Sequence, residues 1–157
     1  MFSFTKRADY ALLALCYLAL AGDAGGGGRL VNNKEIAEHF KIPIELLAKI
    51  MQVLARHQLV ASSPGPTGGY RLTRDPSDIS VATVVKIVDG QMGMVHCSNG
   101  NDSGCDQFDR CTIRNPLATI EERMYGLLEQ MSIREIARLQ EPPSTPPDFI
   151  PLAALTR

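Results

Sequence analysis

Apolar residues recur along most of this chain with the period of a helix. Residues 5–22 are apolar on nearly every side, which is typical of a helix buried in a core or held between subunits. Residues 34–40 and 44–57 predict two further helices, each with one apolar face, joined by a short turn. Asn32, with Glu35 three residues later, predicts an N-cap and a capping-box-like partner for the first of this pair. Two helices joined by a tight turn and packed on a longer buried helix describe a helix-turn-helix.

A Gly/Pro-rich segment breaks the helical pattern after the third predicted helix. The short apolar runs Leu59–Ser62 and Tyr70–Leu72 flank the segment Ser63–Gly69, and this arrangement predicts a β-hairpin. An ordinary surface hairpin would give the same pattern. Its position directly after a helix-turn-helix favours instead the wing of a winged helix.

The second half of the chain predicts further helices around one long loop. Ser80 caps a helix over residues 81–88, and residues 89–115 form a polar, glycine-containing loop. The tail from Glu141 has five prolines within eleven residues, so it is expected to be extended.

A long helix is predicted after this loop, with Pro116 at its first position and an end near Met131. Its apolar residues share one stripe: Leu117, Ile120, Met124, Leu127, Leu128 and Met131. That stripe is too large for one helix to hide, which predicts pairing with a second copy of the chain. Ser132 and Glu135 predict a capping box for a last short helix over residues 133–139.

Composition and charge refine this picture. The chain has 157 residues and a net charge of −1, which suits one domain with an appended arm and gives no overall nucleic-acid signature. The charge is uneven, because residues 1–74 hold 9 Lys and Arg against 5 Asp and Glu, while residues 75–157 hold 7 against 12. A basic front half suits a protein that places one end on a polyanion.

The apolar run near the start of the chain weakly resembles a secretory signal, because Lys6 and Arg7 precede it. Asp9 lies at the start of the run, however, and the run is too short to span a bilayer. No other apolar stretch is long enough either. We therefore expect a cytoplasmic protein that does not associate with membranes.

Three cysteines, Cys97, Cys105 and Cys111, lie in the predicted polar loop with the spacing C-x7-C-x5-C. We call them the cysteine triad. Thiolates bind soft metals, and a loop allows several of them to converge. A disulfide is disfavoured in the cytoplasm, and the paired C-x2–4-C ligands of structural zinc sites are missing. The spacing alone favours an iron–sulfur cluster but leaves zinc and reactive or inert thiols open. Cys16 lies among apolar residues in a helix and is expected to be a buried core thiol.

Three features in this order together resemble a known family. They are the segment Thr5–Leu12 (TKRADYAL), the segment Val60–Leu72 (VASSPGPTGGYRL) and the cysteine triad. They look like the IscR/NsrR/RirA-type winged helix-turn-helix regulators, the Rrf-two family, over about residues 2–140. The GGY-x-L motif of the wing is the most specific part, and the triad distinguishes members that carry a cluster. The resemblance implies a homodimer that binds double-stranded operator DNA under the control of an iron–sulfur cluster.

The same resemblance implies a ligand set for the cluster, namely the cysteine triad and one further group. Some relatives use a histidine three residues after the last cysteine, where this chain has Arg114, which cannot ligate. Others use an acidic residue of the first helix, supplied by the partner subunit, and Asp9 stands at the matching place. Asp9 is therefore the candidate fourth ligand, with His96 as a weaker one; the alternative for Asp9 is a charge that stabilises the helix terminus. A carboxylate ligand favours [4Fe-4S] over [2Fe-2S].

The resemblance also implies how DNA is contacted, with the third helix entering the major groove. Its outward side chains are expected to face the bases: Glu45, Ala48, Lys49 and Gln52. Candidate phosphate contacts, each of which could also be a solvated surface charge, are Lys6, Arg7, Lys34, Arg56 and Arg71. Relatives often carry an arginine at the tip of the wing, whereas this tip contains Ser63–Thr67. We therefore expect the wing to contribute only backbone and shape contacts.

The resulting fold is mainly α with a small β-hairpin wing. We expect a winged helix-turn-helix DNA-binding domain over residues 1–76, of which 1–22 also lie at the dimer interface. Residues 77–140 would form the cluster-binding loop and the dimerisation helices, and 141–157 a flexible tail.

The expected function is transcription regulation in response to iron supply, redox state, nitric oxide or cluster status. The alternative is a cluster-free regulator with a thiol redox switch or a structural zinc. No enzyme is expected, since no nucleophile–base pair occurs and the glycine run Gly25–Gly28 follows a helix rather than a strand.

Overall fold

The computed structural model describes residues 4–23, 29–65, 67–90 and 105–139. Within these ranges the chain forms a mainly helical fold with one antiparallel hairpin, which confirms the predicted fold class. The helices and strands are, in chain order, α1 (Lys6–Asp23), α2 (Asn33–Phe40), α3 (Ile44–Arg56), β1 (Val60–Ser63), β2 (Gly69–Leu72), α4 (Val81–Asp89), α5 (Arg114–Gln130) and α6 (Ile133–Arg138). His96, Cys97 and the Pro-rich tail lie outside the described residues.

Helix α1 is the centre of the core and packs against α2, α3, α4, α6 and β2. Its fully buried residues are Ala8, Ala11, Ala14 and Leu15. The alanines let the neighbouring helices approach closely, and helices on several sides explain why the α1 sequence is apolar nearly all round. Thr5 caps its start, because the Thr5 hydroxyl accepts a hydrogen bond from the Ala8 N–H at 3.2 Å.

Helices α2 and α3 form the helix-turn-helix. The Asn32 side chain caps α2 by accepting a hydrogen bond from the Glu35 N–H at 2.8 Å, as predicted. Lys41 ends α2 in the left-handed conformation with φ 54°, and α3 begins directly after Pro43. Helix α3 buries one stripe of side chains against the core: Leu47, Ile50, Met51 and Leu54.

The hairpin is the predicted wing, with Val60 opposite Leu72 and Ser63 opposite Gly69. The sequence did not predict its third partner. Val31, just before α2, exchanges two backbone hydrogen bonds with Tyr70 at 3.0 and 2.8 Å. The wing is therefore bonded to the helix-turn-helix as well as following it in the chain.

The last helices close the fold. The predicted capping box at the start of α6 is present in both directions, because Ser132 accepts from the Glu135 N–H and the Glu135 carboxylate accepts from the Ser132 N–H. The predicted start of α5 was wrong by two residues. The helix begins at Arg114, and Pro116 is its third residue, where the missing N–H of proline would have no intrahelical partner in any case.

In the part of the chain that the structure describes, no helix has the length and apolar character needed to span a membrane.

Candidate nucleic-acid interface and cysteine site

Helix α3 presents a polar face opposite its buried stripe. Glu45, Lys49, Gln52 and Arg56 are all exposed, and their spacing of four, three and four residues aligns them along one side of the helix. Ala48 lies beside them and is half-buried. The sequence-predicted base-reading residues therefore share one exposed surface.

The charges on this surface include cations that are available to a polyanion. Among the described residues, neither Lys49 nor Arg56 of α3 nor Arg71 of β2 makes an ion pair. Lys34 differs, because its Nζ lies 3.8 Å from Glu38 in an exposed pair one helical turn away. An exposed pair of this kind stabilises little and is easily exchanged for another anion.

The remaining candidate phosphate contacts lie at the start of α1, where Lys6 and Arg7 are both exposed. The wing tip contributes no basic side chain. Ser63, Pro64 and Thr67 are exposed there, and Gly65 adopts φ 111°, which favours glycine.

A polar network that the sequence did not predict joins α1 to α2. Glu35 accepts hydrogen bonds from the Tyr17 hydroxyl at 2.9 Å and from both terminal nitrogens of Arg29. The hydrogen bond from Arg29 is the main reason why the pKa of Glu35 is lowered. The expected reciprocal half of a capping box at Asn32 is therefore not made. The Tyr17 ring also lies 4.9 Å from the His39 ring, centroid to centroid.

Two members of the cysteine triad lie on either side of a short 3₁₀ turn, Phe108–Arg110, just before α5. Cys105 is exposed and Cys111 is half-buried, and both are free thiols. The Phe108 N–H donates to the Cys105 carbonyl at 2.9 Å. Arg114, which cannot ligate a metal, packs its guanidinium over the Phe108 ring at 4.4 Å and so joins the turn to α5.

Asp9 lies in the first turn of α1 and is half-buried. Among the described residues, no three His, Cys, Asp or Glu side chains are grouped closely enough to hold a metal ion. Asp9, Cys105 and Cys111 are thus not brought together within one chain.

Cys16 differs from the other described cysteines. It is 2% exposed in the core, and its sulfur lies 4.0 Å from the Ile133 carbonyl oxygen. Burial raises the pKa of this thiol to about 11. Cys16 is therefore the core thiol that the sequence predicted.

Helix α5 carries an apolar stripe that the other described residues leave largely exposed. The large apolar residues left exposed along it and at its ends are Ile113, Ile120, Leu127 and Met131. Half-buried Leu117 and Met124 lie between them, so the six residues alternate in steps of four and three. Leu128, which the sequence placed in the stripe, instead packs against the core, and Ile113 extends the stripe. Such spacing is typical of a helix that pairs with another helix.

Comparison with known proteins gives a consistent result. The family model Rrf2, described as an iron-dependent transcriptional regulator, matches residues 4–139. The HTH-type transcriptional regulator IscR of Serratia proteamaculans is 31% identical over 137 residues, which are 87% of this chain and 80% of that protein. IscR of Escherichia coli is 30% identical over 87% of this chain and 81% of its own length.

Two solved structures share the fold. CymR, the global cysteine regulator of B. subtilis, superposes with a TM-score of 0.71 at 19% identity, covering 90% of this chain and 100% of its own. IscR of T. potens superposes with a TM-score of 0.70 at 21% identity, covering 93% of each chain.

Proposed function

We propose, on the premise that this chain belongs to the Rrf2 family of transcriptional regulators, that it binds operator DNA as a homodimer under the control of an iron–sulfur cluster. Members of this family are DNA-binding transcriptional regulators and not enzymes, and the same holds for this chain. The exposed polar face of α3, next to the wing, is the observation that carries the assignment of the DNA-contacting surface.

In this proposal α3 enters the major groove and its polar face reads base edges. The Glu45 carboxylate accepts from a cytosine amino group, Gln52 pairs with adenine, and Lys49 reaches guanine or a phosphate. Arg56 and Arg71 are exposed and make no ion pair with a described residue, which suits contacts to phosphate. Lys6, Arg7 and Lys34 would add phosphate contacts, and Ala48 would allow close approach of the groove.

The homodimer would form through the apolar stripe of α5. Leu127 is 63% exposed and Ile120 is 45% exposed, which is unfavourable for a stripe of this length in water. A two-fold partner presenting the same stripe would cover both copies, and the resulting symmetry suits two operator half-sites.

Cys105 and Cys111 fit an iron–sulfur cluster by their chemistry, since both are free thiols near the surface on either side of one turn. Cys97 would be the third ligand. Asp9 of the partner subunit would be the fourth, since among the described residues Asp9 does not group with Cys105 and Cys111 of its own chain. A bound cluster supplies a centre that responds to oxidants, nitric oxide and iron supply. The role of the chain is to hold that centre between two subunits and so to link it to α1.

Anaerobic purification with iron and sulfide counts tests the cluster. We expect brown protein that absorbs at about 400 nm and holds about four irons per chain. Cys111→Ala should lose the colour, whereas Cys16→Ala, in the core, should keep it.

Asp9→Ala should make the cluster less stable in air, and Asp78→Ala, at an exposed position, is the control. An unchanged lifetime of the cluster in the Asp9→Ala variant would exclude Asp9 as a ligand. Colourless zinc protein would favour a structural zinc, and metal-free protein whose DNA affinity follows thiol oxidation would favour a redox switch.

Selection of DNA from a random library, followed by affinity measurements over a range of salt concentrations, tests the interface. Gln52→Ala should relax the base preference at one position per half-site. Arg71→Ala should weaken binding to all sequences alike and lower the slope of log affinity against log salt by about 1 for each phosphate that is no longer neutralised. Equal effects of the two substitutions on every sequence would contradict base reading by α3.

A further inference from the structure

We infer that Ile44, the first residue of α3, recognises thymine by packing against its C5 methyl group. The inference rests on the proposed role of α3 as the recognition helix. It adds a specificity-determining contact, made by apolar surface, to the polar contacts of that helix.

Ile44 is a large apolar residue that the described part of the fold leaves exposed. Its side chain is 49% exposed, and it is not among the residues that pack against either hydrophobic cluster of the core. The apolar contacts at the start of α3 are made instead by Ile42 and Leu47, which are 4% and 0% exposed. Among the described residues, no hydrophobic cluster covers this large β-branched side chain, so it is available for a contact outside the chain.

The position of Ile44 suits contact with bases. It lies in the first turn of α3, and the N-terminal turn of a recognition helix is the part that approaches base edges. Ala48 is one helical turn further on and half-buried, so the two residues are neighbours on the helix surface. Together they form an apolar strip along one flank of the polar face that carries Glu45 and Gln52.

The chemistry of the side chain selects the base. Isoleucine has no hydrogen-bond donor or acceptor, so it cannot pair with the polar groups in the major groove. The C5 methyl of thymine is the apolar group that distinguishes the base edges there. Burial of one methyl group corresponds to a gain in affinity of roughly three- to fivefold.

Replacement of thymine by deoxyuridine, which removes only that methyl, tests the inference directly. The probes are duplexes selected from a random library by the wild-type protein, with each thymine replaced singly. We expect wild-type affinity to fall about three- to fivefold at one thymine per half-site. Ile44→Ala should bind the thymine and uracil forms equally, and Ile44→Val should keep most of the difference. Leu20→Ala is the matched control, since Leu20 is also an exposed apolar residue (41%) but lies on α1; its thymine-to-uracil ratio should equal that of the wild type.

Three outcomes separate the inference from the function on which it rests. Wild-type protein that binds its selected DNA but is insensitive to uracil at every thymine would overturn the role of Ile44. The same conclusion follows if Ile44→Ala, with an unchanged unfolding temperature, retains the uracil sensitivity. Failure of the wild type to enrich any sequence would instead overturn the proposed DNA interface.

Discussion

At the scale of single residues, two of the three glycines of the wing, Gly68 and Gly69, are required by close approaches of backbone. A Cβ atom at Gly69 would lie 2.6 Å from the Val31 carbonyl oxygen, at the point where the wing bonds to the segment before α2. A Cβ at Gly68 would lie 2.2 Å from the Ser63 carbonyl oxygen across the hairpin loop. Backbone atoms cannot move away as a flexible side chain could, so only glycine fits at either position.

Gly69→Ala is therefore expected to lower the free energy of unfolding by roughly 1–3 kcal/mol, the usual cost of forcing atoms into a packed site. Gly126→Ala is the matched control. Gly126 lies within α5, and a Cβ there would meet no atom within 4 Å, so alanine should raise stability by about 0.5–1 kcal/mol through helix propensity. Urea titration followed by circular dichroism measures both. If Gly69→Ala and the wild type had equal urea midpoints of unfolding, the Val31 backbone would be able to move away from the added Cβ at little cost.

At the scale of elements, the Glu35 network joins the central helix α1 to the helix-turn-helix. Tyr17 belongs to α1, Glu35 to α2, and Arg29 to the segment between them. The same helix α2 carries a second acidic residue, Glu38, whose only ion pair among the described residues is the exposed one with Lys34. The two carboxylates therefore differ in what they connect, although they lie three residues apart.

This difference predicts a pH dependence of stability. The pKa of Glu35 is lowered below its ordinary value of 4.5, chiefly by the hydrogen bond from Arg29, so folding favours its charged form. Its contribution is then fully present above about pH 4.5 and is lost as the pH falls through the lower, folded-state value. We expect Glu35→Gln to cost roughly 1 kcal/mol at pH 7 and less at pH 3. Thermal unfolding at both pH values measures this.

Glu38→Gln is the matched control for that measurement, because it removes a carboxylate of the same helix that has only an exposed partner. Its effect on the unfolding temperature should be small at both pH values. If Glu35→Gln and Glu38→Gln behaved alike, the network between α1 and α2 would not contribute to stability.

At the scale of the whole molecule, the apolar stripe of α5 predicts the oligomeric state. Leu127→Asp should leave the fold intact, since the side chain is 63% exposed in one chain. It should raise the dimer dissociation constant by a factor of roughly 100 or more, because the substitution occurs twice in a two-fold interface and places two charges in apolar surroundings. Sedimentation velocity measures the change, and affinity for selected DNA should fall with it.

Thr119→Asp adds the same charge to an exposed position of α5 away from the stripe and serves as control. It should leave the association state unchanged. A wild-type protein that sediments as a monomer, or equal effects of the two aspartates, would exclude this surface as the dimer interface.

Features that depend on neighbours in the chain could be predicted from the sequence. The caps at Asn32, Ser80 and Ser132 were correct because each depends on residues within one helical turn. The start of α5 was wrong because Pro116 is tolerated throughout the first turn of a helix and so marks its beginning only loosely. The network of Arg29, Tyr17 and Glu35 could not be predicted, since one partner comes from a different helix.

The sequence by itself determined the order of the elements and the winged-helix arrangement, and it predicted which cysteines could hold a soft metal. Periodicity, capping residues and thiol chemistry are properties of short segments, so they can be recognised before the chain is folded. Only the tertiary structure decided that Val31 bonds to the wing, that Ile44 is left outside the core and that Asp9 is not grouped with Cys105 and Cys111 of its own chain. These facts depend on which distant segments meet, and that is settled by packing around α1 rather than by local sequence.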